Sequence, residues 1–197
     1  MPPGVEMNIV IGYMFLLLSV FSIGSVAAGF PSEFSQGDRD LVVNGVAKRL
    51  SRDHKPQYEV ALYLAAKSED AQAILSGDAP GAISIIFQDN LSPKKAKSLL
   101  LEDLFVNLDD ADLQRLSPIL GRLMTLAPEN GFVNGDNAVF SYSPGEGTEV
   151  FLNGHSAGMI PGKDFFFCFL SQWLGPHPIN RKEKMGLLGV KAQGSGT

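Results

Sequence analysis

Residues 154–158, Gly154-His155-Ser156-Ala157-Gly158, fit G-x-S-x-G, the spacing of a hydrolase nucleophile elbow. Asp164 and His177 follow in the chain order that such a triad uses. In that chemistry the serine attacks an acyl carbon and the histidine takes its proton. The amides of a helix that starts at once help hold the oxyanion. The neighbouring residues argue against it. Asn153-Gly154 stands between two short strand-like runs, and a type I′ hairpin turn needs positive φ at both central residues. That places Ser156 within the returning strand. No helix can begin before Pro161-Gly162, and Asp164 reads as the cap of the helix that follows. A serine hydrolase on Ser156 is therefore the remote alternative.

Other site chemistries are thin. His54, His155 and His177 are far apart and show no metal-ligand spacing. Pro144-Gly145-Glu146-Gly147 lacks the lysine and helix of a phosphate loop. Neither a metal nor another cofactor is implied. The single cysteine, Cys168, excludes an internal disulfide and reads as a small apolar side chain. A formal charge of −5 speaks against a nucleic-acid partner, which wants a basic face. Lys94, Lys95 and Lys97 read as a solvated face.

The elements that must position any site follow from periodicity. Leu41-Val42-Val43 opens a strand that passes into the glycine-containing stretch Asn44-Gly45-Val46-Ala47-Lys48-Arg49. In the next strand Tyr58, Val60, Leu62 and Leu64 share one face. Ser68 is the expected cap of a short helix that stops at Gly77. Ile83, Ile85 and Phe87 form the buried face of a third strand. Ser92, with Pro93 behind it, starts a helix whose apolar stripe is Ala96, Leu99, Leu100 and Leu104. Asp109 caps another, with Leu113, Leu116, Leu120 and Leu123 inward and a kink expected at Pro118. Three strands, Ala138 to Ser143, Glu149 to Leu152 and His155 to Ile160, make a meander. Asp164 then opens the apolar helix FFFCFLSQWL, stopped by Gly175 and Pro176. A short helix around Arg181 to Leu188 ends the pattern. With no βαβ alternation the class is α+β, an antiparallel sheet with helices packed on one face.

The N-terminus differs in kind. Asn8 to Gly29 carries no charge and ends in Ser25-Val26-Ala27-Ala28, small residues of the type signal peptidase requires. Residues 1–28 are read as a signal peptide, or as an N-terminal anchor if uncleaved, 29–39 as a linker, 40–190 as the domain and 191–197 as a tail. Periplasmic or other export is implied either way. Membrane contact would come only through the uncleaved N-terminal segment.

From Gly145 the residues resemble those of the bacterial chalcone isomerase-like family. Its pGxGt and NG elements are matched by Gly145, Gly147, Thr148, Asn153 and Gly154. Ile160, Gly162, Asp164 and Phe165 match the next block, Trp173-Leu174-Gly175 and Pro178 the third, and Leu187-Leu188-Gly189 the last. NGVAKR and YEVALYL resemble the family's N-terminal half, with Ala47 where a second glycine is usual. The resemblance implies an open-faced β-sandwich, a curved antiparallel sheet packed against a layer of helices, with an apolar cleft between them.

The resemblance extends to plant intramolecular lyases of the chalcone-flavanone isomerase type and to related plant proteins that bind fatty acids, while bacterial members mostly lack an established activity. In the binding branch an arginine and a tyrosine hold the carboxylate, and Arg49 and Tyr58 match those positions. The enzymes carry a threonine in place of Tyr58. Their catalytic tyrosine and asparagine fall near Leu91 and Ser98, with Asn90 the only candidate nearby. The resemblance thus implies a non-catalytic protein binding a fatty acid or other apolar carboxylate through Arg49 and Tyr58, with the lyase as the alternative.

Overall fold

The computed structural model describes residues 29–36 and 39–190. The expected signal peptide, the tail and the side chains of Leu99 and Leu100 lie outside what is described. Among the described residues seven strands follow one another in space as in sequence, every neighbouring pair antiparallel. They are β1 (Glu33–Gln36), β2 (Arg39–Leu50), β3 (Pro56–Leu64), β4 (Gly81–Phe87), β5 (Asn137–Ser143), β6 (Gly147–Leu152) and β7 (His155–Pro161). The helices are α1 (Ala71–Ser76), α2 (Pro93–Phe105), α3 (Asp110–Leu126), α4 (Asp164–Leu174) and α5 (Arg181–Leu187). This is the expected α+β arrangement, a curled antiparallel sheet with a helical layer.

The period-two pattern of the strands decides which side chains meet the helices. Tyr58, Val60, Leu62 and Leu64 join Ile83, Ile85 and Phe87 in the main core. Phe165, Phe166, Phe169, Leu170 and Trp173 of α4 press on that face, each at most 2% exposed. Burying a side chain of that size contributes about 2 kcal/mol, so α4 is a principal anchor of the layer. The alternate residues Ala61, Tyr63, Ala82 and Val139 build a smaller apolar patch on the other face, covered by Phe30. There the Tyr63 hydroxyl donates to the carbonyl of Pro31 at 3.0 Å.

Several details differ from the sequence reading. Residues 33–36, expected as linker, form the edge strand β1 on β2, and Phe30 ahead of it is 6% exposed. No alternation marks so short a strand. The strand and glycine stretch expected between 40 and 52 are one strand, β2, whose register shifts between Val43 and Gly45. Asp70, not Ser68, caps α1, accepting from the amides of Gln72 and Ala73. Asp164 is not a cap. It lies inside the first turn of α4 and pairs with Arg115, while the cap position, Lys163, makes no side-chain bond. The α3 helix continues through Pro118. Asn153 and Gly154 have φ of 51° and 79°, the two positive values that a type I′ turn requires.

Candidate functional site

Two glycines bring the last helix onto the sheet. A Cβ on Gly45 in β2 would stand 2.1 Å from the carbonyl oxygen of Gly186, and one on Gly186 would stand 2.6 Å from that of Val46. Bare backbone at both positions lets α5 lie directly on β2. Buried Asn44 fastens it. Its amide donates to the carbonyls of Leu187 at 2.7 Å and Ser68 at 3.0 Å, and its Oδ1 accepts from the Ser68 amide at 2.7 Å. The Asn44-Gly45 pair is therefore a docking device for α5.

The docked helix delivers Glu183. One carboxylate oxygen accepts from Arg49 Nη1 at 3.2 Å, the other from the Tyr58 hydroxyl at 3.1 Å. Arg49 and Tyr58 are directly paired across β2 and β3, which sets their side chains toward the same helix. The Tyr58 oxygen also accepts from Trp173 Nε1 at 3.2 Å. Glu183 is 1% exposed, Trp173 2%, and the Arg49 side chain 19%. Burial pushes the Glu183 carboxyl above its usual range, partly offset by Arg49 and the phenol. Burial, then the neighbouring Glu183, drive the Tyr58 phenol well above its ordinary value, so it stays protonated.

Beside this cluster lies an apolar cavity of about 100 Å³. Its floor is Tyr58, Ile85, Phe87, Ala138, Phe140, Val150 and Leu152, the inward residues of β3 to β6. Its roof is Ala96 and Lys97 of α2 with Leu123, Met124 and Leu126 of α3, and its wall is Phe169, Gln172 and Trp173 of α4. Leu91 and Phe132 close one side, exchanging both backbone hydrogen bonds. The Phe132 ring stacks on Phe87 with centroids 4.0 Å apart. The roof helices meet the sheet chiefly through α3 at β7 and otherwise rest on α4, which leaves the space beneath them open.

The expected site residues distribute as follows. Arg49 and Tyr58 come together, on the carboxylate of Glu183. Tyr58 also forms part of the cavity floor, whereas Arg49 is not among the lining residues. Leu91, near which the resemblance places an enzymic tyrosine, is an apolar lining residue, 2% exposed. Ser156 donates to Glu149 at 2.7 Å on the exposed hairpin. Asp164 is held by Arg115, and the His177 amide donates to Asn107. None of these bonds joins Ser156, Asp164 and His177 to one another. Burial pushes the Cys168 thiol up to about 12, which keeps it unreactive. Among the described residues no group of three or more His, Cys, Asp or Glu side chains could hold a metal ion. None of their helices is long and apolar enough to cross a membrane.

Sequence reasoning missed Glu183. It lies in a short polar run, RKEKMG, where an acid between lysines looks like solvated surface. Only the packing of α5 across Gly45 turns it inward.

Comparison with known proteins finds a family and solved structures of the same fold. The chalcone isomerase-like family matches residues 25–189. The crystal structure of an Arabidopsis thaliana fatty-acid binding protein superposes with a TM-score of 0.63 at 15% identity, covering 81% of this chain and 90% of that one. No curated protein sequence matches.

Proposed function

Because the chain belongs to the chalcone isomerase-like family, we propose that it is a non-catalytic binding protein that holds a fatty acid or similar apolar carboxylate between the sheet and the helices. The observation that carries this reading is the cavity. Its lining is aliphatic and aromatic apart from Tyr58, Lys97, Gln172 and the indole of Trp173. Concave apolar sites with a few polar groups are the usual form of small-molecule sites. The structural neighbour, a fatty-acid binding protein, lends support from the same fold.

Tyr58 takes part as a residue of the cavity floor. Arg49 takes part through Glu183, whose charge it balances. The non-catalytic reading draws support from the same bonds. Ring closure onto an enone needs a donor that polarises the ketone. The Tyr58 proton is engaged by Glu183, and Leu91 offers none. The proposal includes export, for which the support is the uncharged N-terminal segment and its small-residue end.

At about 100 Å³ the cavity holds a short stretch of hydrocarbon. A longer chain requires α2 and α3 to lift from the sheet, which they meet chiefly through α3 at β7. Native mass spectrometry of the full chain, purified without added lipid, tests the reading. A retained mass equal to a fatty acid is expected. A chain that stays empty when titrated with dodecanoate would contradict it.

A further inference from the structure

We infer that the bound ligand lies tail-inward, with its carboxylate at the cavity mouth on Lys97 and its hydrocarbon chain directed toward Tyr58 and Trp173. This rests on the reading of the cavity as a site for an apolar carboxylate, and it fixes the orientation within that site.

The first ground is the hydrogen-bond accounting at the inner end. A carboxylate only accepts, so it needs donors. Tyr58 has one hydroxyl proton, and it goes to Glu183. The Trp173 N–H goes to Tyr58, and Gln172 Nε2 gives one of its two protons to the Phe169 carbonyl at 2.8 Å. The Tyr58 hydroxyl thus has no proton left for a ligand. Behind it stands the buried charge of Glu183, already neutralising Arg49. A second carboxylate placed there would meet a like charge and lose its water for at most one amide proton of Gln172. The chain's own glutamate fills the role that a ligand head group would take.

The second ground is the mouth. Lys97 is exposed, lines the cavity and has no ion-pair or hydrogen-bond partner among the described residues. Its neighbour Lys95 is paired instead with Asp89 at 3.9 Å. A carboxylate beside Lys97 keeps its hydration and gains an opposite charge, while the alkyl chain takes the apolar interior.

The test uses dodecanoate and dodecanol on the full chain and on Lys97→Glu, an exposed change on a helix surface. The expected result is a Kd for dodecanoate raised about tenfold in the variant, with the Kd for dodecanol moved less than about twofold. A second measurement is free of variants. The ¹³C resonance of carboxyl-labelled dodecanoate bound to the wild type should titrate with the pKa of a hydrated carboxylate. Equal dodecanoate affinities in the two proteins, or a bound carboxyl carbon that does not titrate, would overturn the orientation while leaving the cavity as the site. Failure of either ligand to bind the wild type would overturn the functional reading itself, and the orientation with it.

Discussion

Glu183 of α5 places its carboxylate 3.2 Å from the guanidinium of Arg49 in β2, where the glutamate is 1% exposed. The two residues are 134 positions apart, so the pair joins the last helix to the second strand. A buried ion pair need not add stability over an apolar pair, but removing one partner strands the other. Here Tyr58 and Trp173 extend the pair into a chain of donors and acceptors that satisfies both carboxylate oxygens.

Glu183→Ala removes the acceptor for two donors and leaves a largely covered arginine without a counter-ion. It is expected to destabilise the fold by about 3 kcal/mol, and Glu183→Gln, which keeps the shape, by less. Urea unfolding midpoints at neutral pH check the order of the two variants.

The raised Glu183 carboxyl gives a pH dependence of definite sign. The folded chain keeps this proton at pH values where the unfolded chain, with an ordinary glutamate near about pH 4.3, has lost it. The native state therefore binds more protons in that window, and this residue's contribution to stability falls as pH rises through it. Glu183→Gln is expected to remove that fall. Unfolding midpoints of both proteins, followed upward from about pH 4, show it as a difference in slope.

Gly45→Ala would force a Cβ to within 2.1 Å of the Gly186 carbonyl oxygen. Backbone cannot yield as a side-chain tip does, so α5 must move off β2 and carry Glu183 with it. A loss of several kcal/mol, at least about 3, is expected. Trp173, the only tryptophan, lies two hydrogen bonds from the displaced carboxylate. Its emission in the folded state should shift in this variant, measured against wild type under native conditions.

Legibility in the sequence followed periodicity. Tyr58 to Leu64 and Ile83 to Phe87 showed their inner faces by alternation, and Asn153-Gly154 announced its turn. The apolar run of α4 signalled a buried helix, and these elements carried the α+β assignment. The β1 strand was hidden because four residues are too few for a period. The cap assigned to Asp164 failed because Arg115, distant in sequence, engages that side chain. Arg49 and Tyr58 were visible as a donor pair through the family resemblance, but the carboxylate beside them was not. Glu183 has lysines on both sides and no pattern of its own. Its burial depends on the close approach of Gly45 and Gly186, a contact between segments that sequence spacing does not encode.

The central claim is that the ligand occupies the cavity beneath α2 and α3. A titration of dodecanoate against Trp173 fluorescence, in the wild type and in Ala96→Phe, tests it most directly. The Phe ring would take up most of the space that Ala96 borders, on a helix that already carries apolar residues. The account predicts a saturable change in the wild type and an affinity at least about tenfold weaker in the variant, a loss of roughly 1.4 kcal/mol. Equal affinities in two equally folded proteins would place the ligand elsewhere and contradict it.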